Sequence, residues 1–270
     1  VADATGDTDA VNLGQLIAAI SGVSAGSTFA SSDYFVVNSD GAAASAIGQD
    51  AIAIGEAANA GAAGSIAIGS DSNGLGTAPN AAAENSIAIG MSASASSIQS
   101  TAIGSEASAT GLVSAAFGQL ATATSSEAVA VGARATASER RATAIGAGAV
   151  ASDTSASALG HNAVASDSRA LAAGADALAS AEYATALVYE SEANAFASVA
   201  LGGDLDDDGT GTTASAIGST ALGSDAIATA ENAIALGSSS VADEASTVSV
   251  GASGSERRIV NVADATGDTD

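Results

Sequence analysis

A glycine that returns every 14 residues constrains this chain more than any other feature. Gly90, Gly104, Gly118, Gly132, Gly146, Gly160 and Gly174 keep the step unbroken. Val occupies position 188, and the series resumes at Gly202, Gly223, Gly237 and Gly251, with Gly48, Gly55 and Gly69 upstream. The irregular steps are 7 or 21 residues, so the frame survives as a half-unit shift. Counted from each glycine, position −2 is Ala from Ala46 to Ala235, and only Ser249 departs. Position −1 is apolar throughout, and positions +3 and +5 are mostly Ala, as in Ala107/Ala109, Ala121/Ala123 and Ala149/Ala151.

Alternation inside this frame is strand logic. Positions −3 and −1 share one face of a strand, and −2 takes the other. Positions +3 and +5 share a face of a second strand, and Gly69, Gly90, Gly104 and their successors to Gly251 form the repeat turns. Glycine permits a tight corner or a close backbone approach there. Each 14-residue unit then supplies two short strands and two turns, one coil of a narrow parallel β-solenoid. A helix is the competing reading, because Ala is the best helix former, yet each interior Gly costs about 1 kcal/mol. A coiled coil needs an unbroken seam of large apolar residues, which the Ala-x-Ala halves interrupt. Disorder would not return an apolar side chain so faithfully in register.

The large residues at −1 are expected to form the core of the roll: Ile68, Ile89, Ile103, Phe117, Val131, Ile145, Leu159, Leu187, Leu201, Leu222, Leu236 and Val250. The interior opposite +3 and +5 is thin, which suits a flattened roll. The small Ala at −2 then lies on the other face and permits close approach of another body, most simply a second copy of the chain. The same pattern allows the two faces to be exchanged.

Two units are long. Insertions near 70–84 (with the sole proline, Pro79) and near 203–217 are expected as loops extruded from the edge of a coil. Asp204, Asp206, Asp207 and Asp208 invite a calcium reading, since alternating oxygen ligands suit a hard cation. The string lacks the EF-hand pattern and the calcium β-roll nonapeptide, and a solvated acidic loop is the expectation. Val1–Asp9 and Val262–Asp270 are the same nine residues, which marks a module boundary. Residues 1–22 are assigned to the end of a terminal motif and a short helix from Asp9 to Ile20, 23–254 to the roll and 255–270 to the start of the next copy of that motif. Arg257 and Arg258 are expected to reach Asp264, Asp268 or Asp270 across chains there.

Composition excludes several classes of function. The chain has no Cys, a single histidine (His161), 30 acidic residues against six Arg and no Lys, and a net charge of −24. That balance disfavours attraction to nucleic acid or anionic lipid, and no thiolate chemistry exists. His161 occupies a turn-adjacent position near Ser157, Ser166 and Asp167, where a buried, oriented triad base is not expected. No catalytic residue, cofactor or metal is assigned, and an enzyme is not expected. Arg134, Arg140, Arg141 and Arg169 stand in an acidic field. Arg141 and Arg169 are expected in one column, pairing with neighbouring Glu139 and Asp167. The chain begins at Val1 without a basic-then-apolar leader, and any export signal or membrane anchor is expected outside it.

The strings Asn85–Gly90 (NSIAIG) and Asn232–Gly237 (NAIALG), Tyr34–Ser39 (YFVVNS) and the two neck halves carry a resemblance. In these the chain resembles the head region of trimeric autotransporter adhesins. The resemblance implies a left-handed parallel β-roll, assembled as a homotrimer and displayed on a bacterial outer membrane through a C-terminal anchor beyond this chain. It implies attachment to host matrix proteins, host-cell receptors, abiotic surfaces or other bacterial cells, through a surface it does not name. A passive spacer that projects another head is the alternative. An ice-binding solenoid is more remote, since Thr-x-Thr occurs as Thr122-Ala-Thr124 but not as a regular column.

Overall fold

Strands of two and three residues alternate along the chain and sort into two 14-stranded sheets, one strand of each coil entering each sheet. The computed structural model describes residues 42–70, 78–204, 209 and 211–263. All of these lie in the contact unit Gly41–Asp270. The expected helix from Asp9 to Ile20, the opening neck half, Asp206, Asp207, Asp208, Asp264, Asp268 and Asp270 lie outside the described residues.

Pairing is parallel and advances by one unit per strand. Thr101, Ala102 and Ile103 pair with Ala115, Ala116 and Phe117 in the sheet of longer strands. Ser108 and Ala109 pair with Thr122 and Ala123 in the sheet of shorter ones. The long units keep this order: Ile68 pairs with Ile89 and Leu201 with Leu222. Asn80–Ala81 and Thr213–Ala214 are strands of the roll, paired with Asn59–Ala60 and Glu192–Ala193. Among the described residues the ladder has resumed by Asn80 and by Thr213, so 80–84 and 213–217 belong to the coils. Both insertions open from the glycine corner, and each is shorter than the sequence suggested.

Each corner is a four-residue turn whose third residue is left-handed. At the glycine corner Ala107 N–H donates to Gly104 O at 3.2 Å, and Glu106 has φ 59°. At the second corner Ser100 N–H donates to Ser97 O at 3.1 Å, and Gln99 has φ 57°. Glycine is required at the first corner for two reasons. Gly104 has φ +136°, and a Cβ there would lie 2.4 Å from Gly118 O. Its recurrence along the ladder, broken only at Val188 among the described coils, is thus a stacking demand, coil on coil.

The core reverses the expected assignment of faces. Among the described residues the buried hydrophobic side chains are alanines without exception, at −2, +3 and +5 and in many units at −4, as Ala102, Ala107, Ala109 and Ala128 illustrate. Ser65, Ser86, Ser100, Ser114, Ser198 and Ser219 take the −4 position in other units, fully or almost fully buried. The −1 residues face outwards. Ile68, Ile89, Ile103, Val131, Leu187 and Val250 are half-buried, and Phe117, Ile145, Leu159, Leu201, Leu222 and Leu236 are exposed. The reason is the thinness of the interior. Two sheets that both turn Ala inwards leave room for a methyl group at each position, and larger side chains would overpack it. Where an insertion enters, Pro79 and Thr212 take the inward position and are the two bulkiest fully buried side chains among the described residues, larger than the serines.

Candidate binding and assembly surfaces

The outward residues of the longer strands line up because the ladder is in register. Ile89 lies beside Ile103, Ile103 beside Phe117, Phe117 beside Val131, and Val131 beside Ile145. A second column at −3, with Ile66, Ile87, Val129, Leu171, Val199 and Ile234, flanks it. Exposure reaches 43 % at Ile145 and 42 % at Leu236. A continuous apolar stripe of this length on one sheet marks a contact surface.

The outer face of the shorter strands is different. Ser94, Ser108, Thr122 and Thr136 succeed one another in register, followed by Val150 and Val164. Of these hydroxyls Thr122 Oγ1 donates to Leu120 O at 3.3 Å, and just past the strand Thr124 Oγ1 donates to Ser138 O at 2.8 Å, in the next coil.

At the second corner a serine at −4 closes the turn with its side chain. Ser86 Oγ donates to Ala83 O at 2.6 Å, and Ser100 Oγ to Ser97 O at 2.6 Å. Asn85, just before it, has φ 56°, a region Asn tolerates better than most residues. The Asn-Ser pair of Asn85 and Ser86 is therefore turn chemistry, a role the sequence reading had not assigned. Units with Ala at −4 forgo that bond.

Arginine partners lie one coil away rather than next door in the chain. Arg141 Nε donates to Glu127 Oε2 at 2.9 Å, and Arg169 Nη1 to Glu182 Oε1 at 3.4 Å. The expected partners Glu139 and Asp167 are replaced, because residues one unit apart sit side by side in a column. Arg141 and Arg169 do occupy the same column, two coils apart. These pairs are about half exposed on both sides, so each contributes only ~0–1 kcal/mol. Arg169 also places its guanidinium 5.2 Å from the Tyr183 ring centre and donates to its hydroxyl at 2.9 Å. Tyr183 meets Phe196 edge to face at 5.7 Å. This cluster had no signal in spacing; the signal was compositional, two aromatics 13 residues apart in a chain that is 3 % aromatic.

At the end of the roll Arg257 folds back over the last coil. Arg257 Nη1 donates to Ser240 Oγ at 2.9 Å and to Val250 O at 3.1 Å, and its Nη2 donates to Ser238 O. Arg257 makes these bonds within its own chain, and both Arg257 and Arg258 are exposed. Glu256 accepts from Gly254 N–H at 2.8 Å. That bond, with one from its own backbone N–H, holds the carboxyl below its ordinary pKa.

His161 is exposed at the glycine corner, where its carbonyl accepts from Asp176 N–H at 2.8 Å. Asp204, the described member of the acidic run, accepts from Gly209 N–H at 2.8 Å. Among the described residues no three His, Asp or Glu side chains converge as metal ligands do.

Known proteins resemble the chain at both levels of its organisation. The two-copy head domain repeat of YadA matches residues 46–72, overlapping stretches from 75 to 177, and 209–253. The coiled stalk of trimeric autotransporter adhesin matches residues 1–35. A solved structure, the collagen-binding domain of the Yersinia adhesin YadA, shares 23 % identity over 76 % of this chain and 90 % of its own, with a TM-score of 0.32. No curated protein matches significantly.

Proposed function

Because the chain belongs to the YadA head-domain family, we propose that it is the adhesive head of a trimeric autotransporter, a binding protein and not an enzyme. The observation that carries this reading is the head repeat itself, matched in frame along most of the roll. Three copies stand around one axis, with left-handed coils. The apolar stripe of Ile89, Ile103, Phe117 and their successors faces the axis. A charge of −24 per copy opposes association, so a continuous apolar contact must offset it. The hydroxyl-bearing sheet and the corners then face outwards, towards host matrix proteins, host-cell receptors or other bacteria. An outer-membrane anchor lies beyond the chain.

The test is attachment of the chain, held in a trimeric fusion, to immobilised matrix proteins and to bare plastic. Binding to either supports the adhesive head. A stable trimer that binds neither is the passive spacer instead. Sedimentation equilibrium of the same fusion is expected to give three chains, and a monomeric roll would refute the assembly.

A further inference from the structure

We propose that neighbouring copies meet corner to corner at two levels of the roll, the glycine corner of one copy against the second corner of the next; the proposal rests on the threefold assembly argued above. Rotation about an axis along the stack of coils keeps every residue at its own height. With the apolar stripe turned to that axis, each edge of a roll comes beside the opposite edge of a neighbour. Such a head-to-tail contact demands that unlike corners match at equal height.

The corners show that match. At the second corner Ile98, Leu112 and Val113 are each 48 % exposed. At the same level the glycine corner carries Met91 and Leu120, both half-buried. Further along, Tyr183, Phe196 and Ile217 are exposed at the second corner, and Val188 and Tyr189 at the glycine corner. Met91 and Ile98, Val113 and Leu120, and Tyr189 and Phe196 are each seven residues apart, half a coil. Half a coil leads to the opposite corner and advances along the stack by only about 2.4 Å, half the strand spacing. Between the two levels neither corner carries a large apolar side chain at its tip. The second corner runs through Glu127, Arg140, Thr154 and Ser168, and the glycine corner through Arg134, His161, Asn162 and Asp176. These polar stretches stay open to solvent, and the two apolar levels are where edge meets edge.

The pairing of opposite edges selects the partner. A ligand from outside gives no reason for apolar residues on both edges at one height. A like-to-like contact between two copies needs them on one edge only. The coil has no need of them either, since Ser92 holds the position of Leu120 and Ser155 that of Val113. The corners also supply what the stripe lacks. The stripe repeats at every coil, so a copy displaced by one coil still buries most of it. Two isolated levels of apolar corners fit only when the copies stand level, and a displaced head-to-tail contact builds an open filament in place of a closed ring.

The chain has no cysteine, so introduced thiols report alone. The test puts Val113→Cys and Leu120→Cys together in the full chain, held in its trimeric fusion. Within one chain the two positions are on the order of 20 Å apart along near-extended backbone, beyond the reach of a disulfide. Mild oxidation is expected to join chains into two-chain and closed three-chain products, with loss of the single-chain band on a denaturing gel. Either cysteine alone, or the pair Leu120→Cys and Ser155→Cys at unequal heights, is expected to leave the chains single. Tyr189→Cys with Phe196→Cys repeats the test at the second level, where Ser105 and Ser126 hold the same positions in other coils. Melting temperatures check the fold of each variant. No cross-link at either level, in a variant that melts like the parent, overturns the proposal. Cross-linking by a single cysteine overturns it too, as does equal cross-linking by the pair at unequal heights. If cross-links are missing while sedimentation gives three chains, the corner contact fails and the trimer stands. If unlike corners cross-link into products longer than three chains, the corner contact stands and the threefold ring fails.

Discussion

The Arg257 guanidinium lies against Gly237, where a Cβ would come within 3.2 Å of its Cζ. The bare glycine lets the side chain fold over the last coil and donate to carbonyls that no further strand takes up. An open sheet end is a site for unwanted pairing, and terminal repeats of solenoids require a cap. Arg257→Ala is expected to fray the last coil, seen as faster amide exchange from Ser238 to Gly251 with the middle of the roll unchanged. Arg258→Ala serves as the control at the adjacent arginine. Equal exchange in both variants would remove the capping role.

The exchanged faces give a paired test. Ala102 is fully buried, so Ala102→Leu overpacks the interior and is expected to cost about 1–3 kcal/mol or more. Ile103→Asp points outwards and is expected to cost a single roll only about 1 kcal/mol, while weakening association. Thermal melts and sedimentation of the two variants check this. The opposite order of stabilities would restore the large residues to the core.

Val188 stands where every neighbouring unit has glycine, and it holds φ 92°. A non-glycine residue in such a region carries about 1–3 kcal/mol of strain. Val188→Gly is therefore expected to raise the stability of the chain, and Gly104→Ala to lower it. Denaturant unfolding of both variants reads the signs directly.

The serine bond at the second corner predicts a smaller effect. Ser86→Ala is expected to cost about 0.5–1.5 kcal/mol, the net worth of one hydrogen bond, because Ser86 Oγ has Ala83 O at 2.6 Å. Ala142 holds the same position four coils away without that bond, so the substitution is sterically silent. An unchanged melt would show that the alanine coils lose nothing by lacking the serine.

The Glu256 hook is a pH-dependent contact. Its folded pKa is lowered, so its contribution is present above the unfolded value and is lost as pH falls through the folded one. The carboxyl carbon is expected to titrate below the ordinary glutamate value in the folded chain. Gly254 amide exchange should quicken across the same acidic range. A normal midpoint would mean that the Gly254 bond does not persist in solution.

The coil length, the two strands and two turns per coil, the parallel order and the glycine corners were all legible in the sequence. Each follows from a repeat: stacking equal coils in register makes the period of the chain the period of the structure, and glycine alone fits without strain at a corner packed against the next coil's carbonyl. The insertions were legible for the same reason, since their surplus leaves the frame intact. Which strand face turns inwards was decided by tertiary packing. Alternation with a period of two is unchanged when the faces are exchanged, and Ile103 was placed inside on size alone. The gap between two sheets that both present Ala admits methyl groups only, and that gap exists only once the coil has closed. Contacts between coils were hidden for a related reason. Glu127 meets Arg141, Tyr183 meets Phe196 and Arg257 covers Gly237 through the stacking of one coil on the next, a proximity set by the roll and not by distance along the chain.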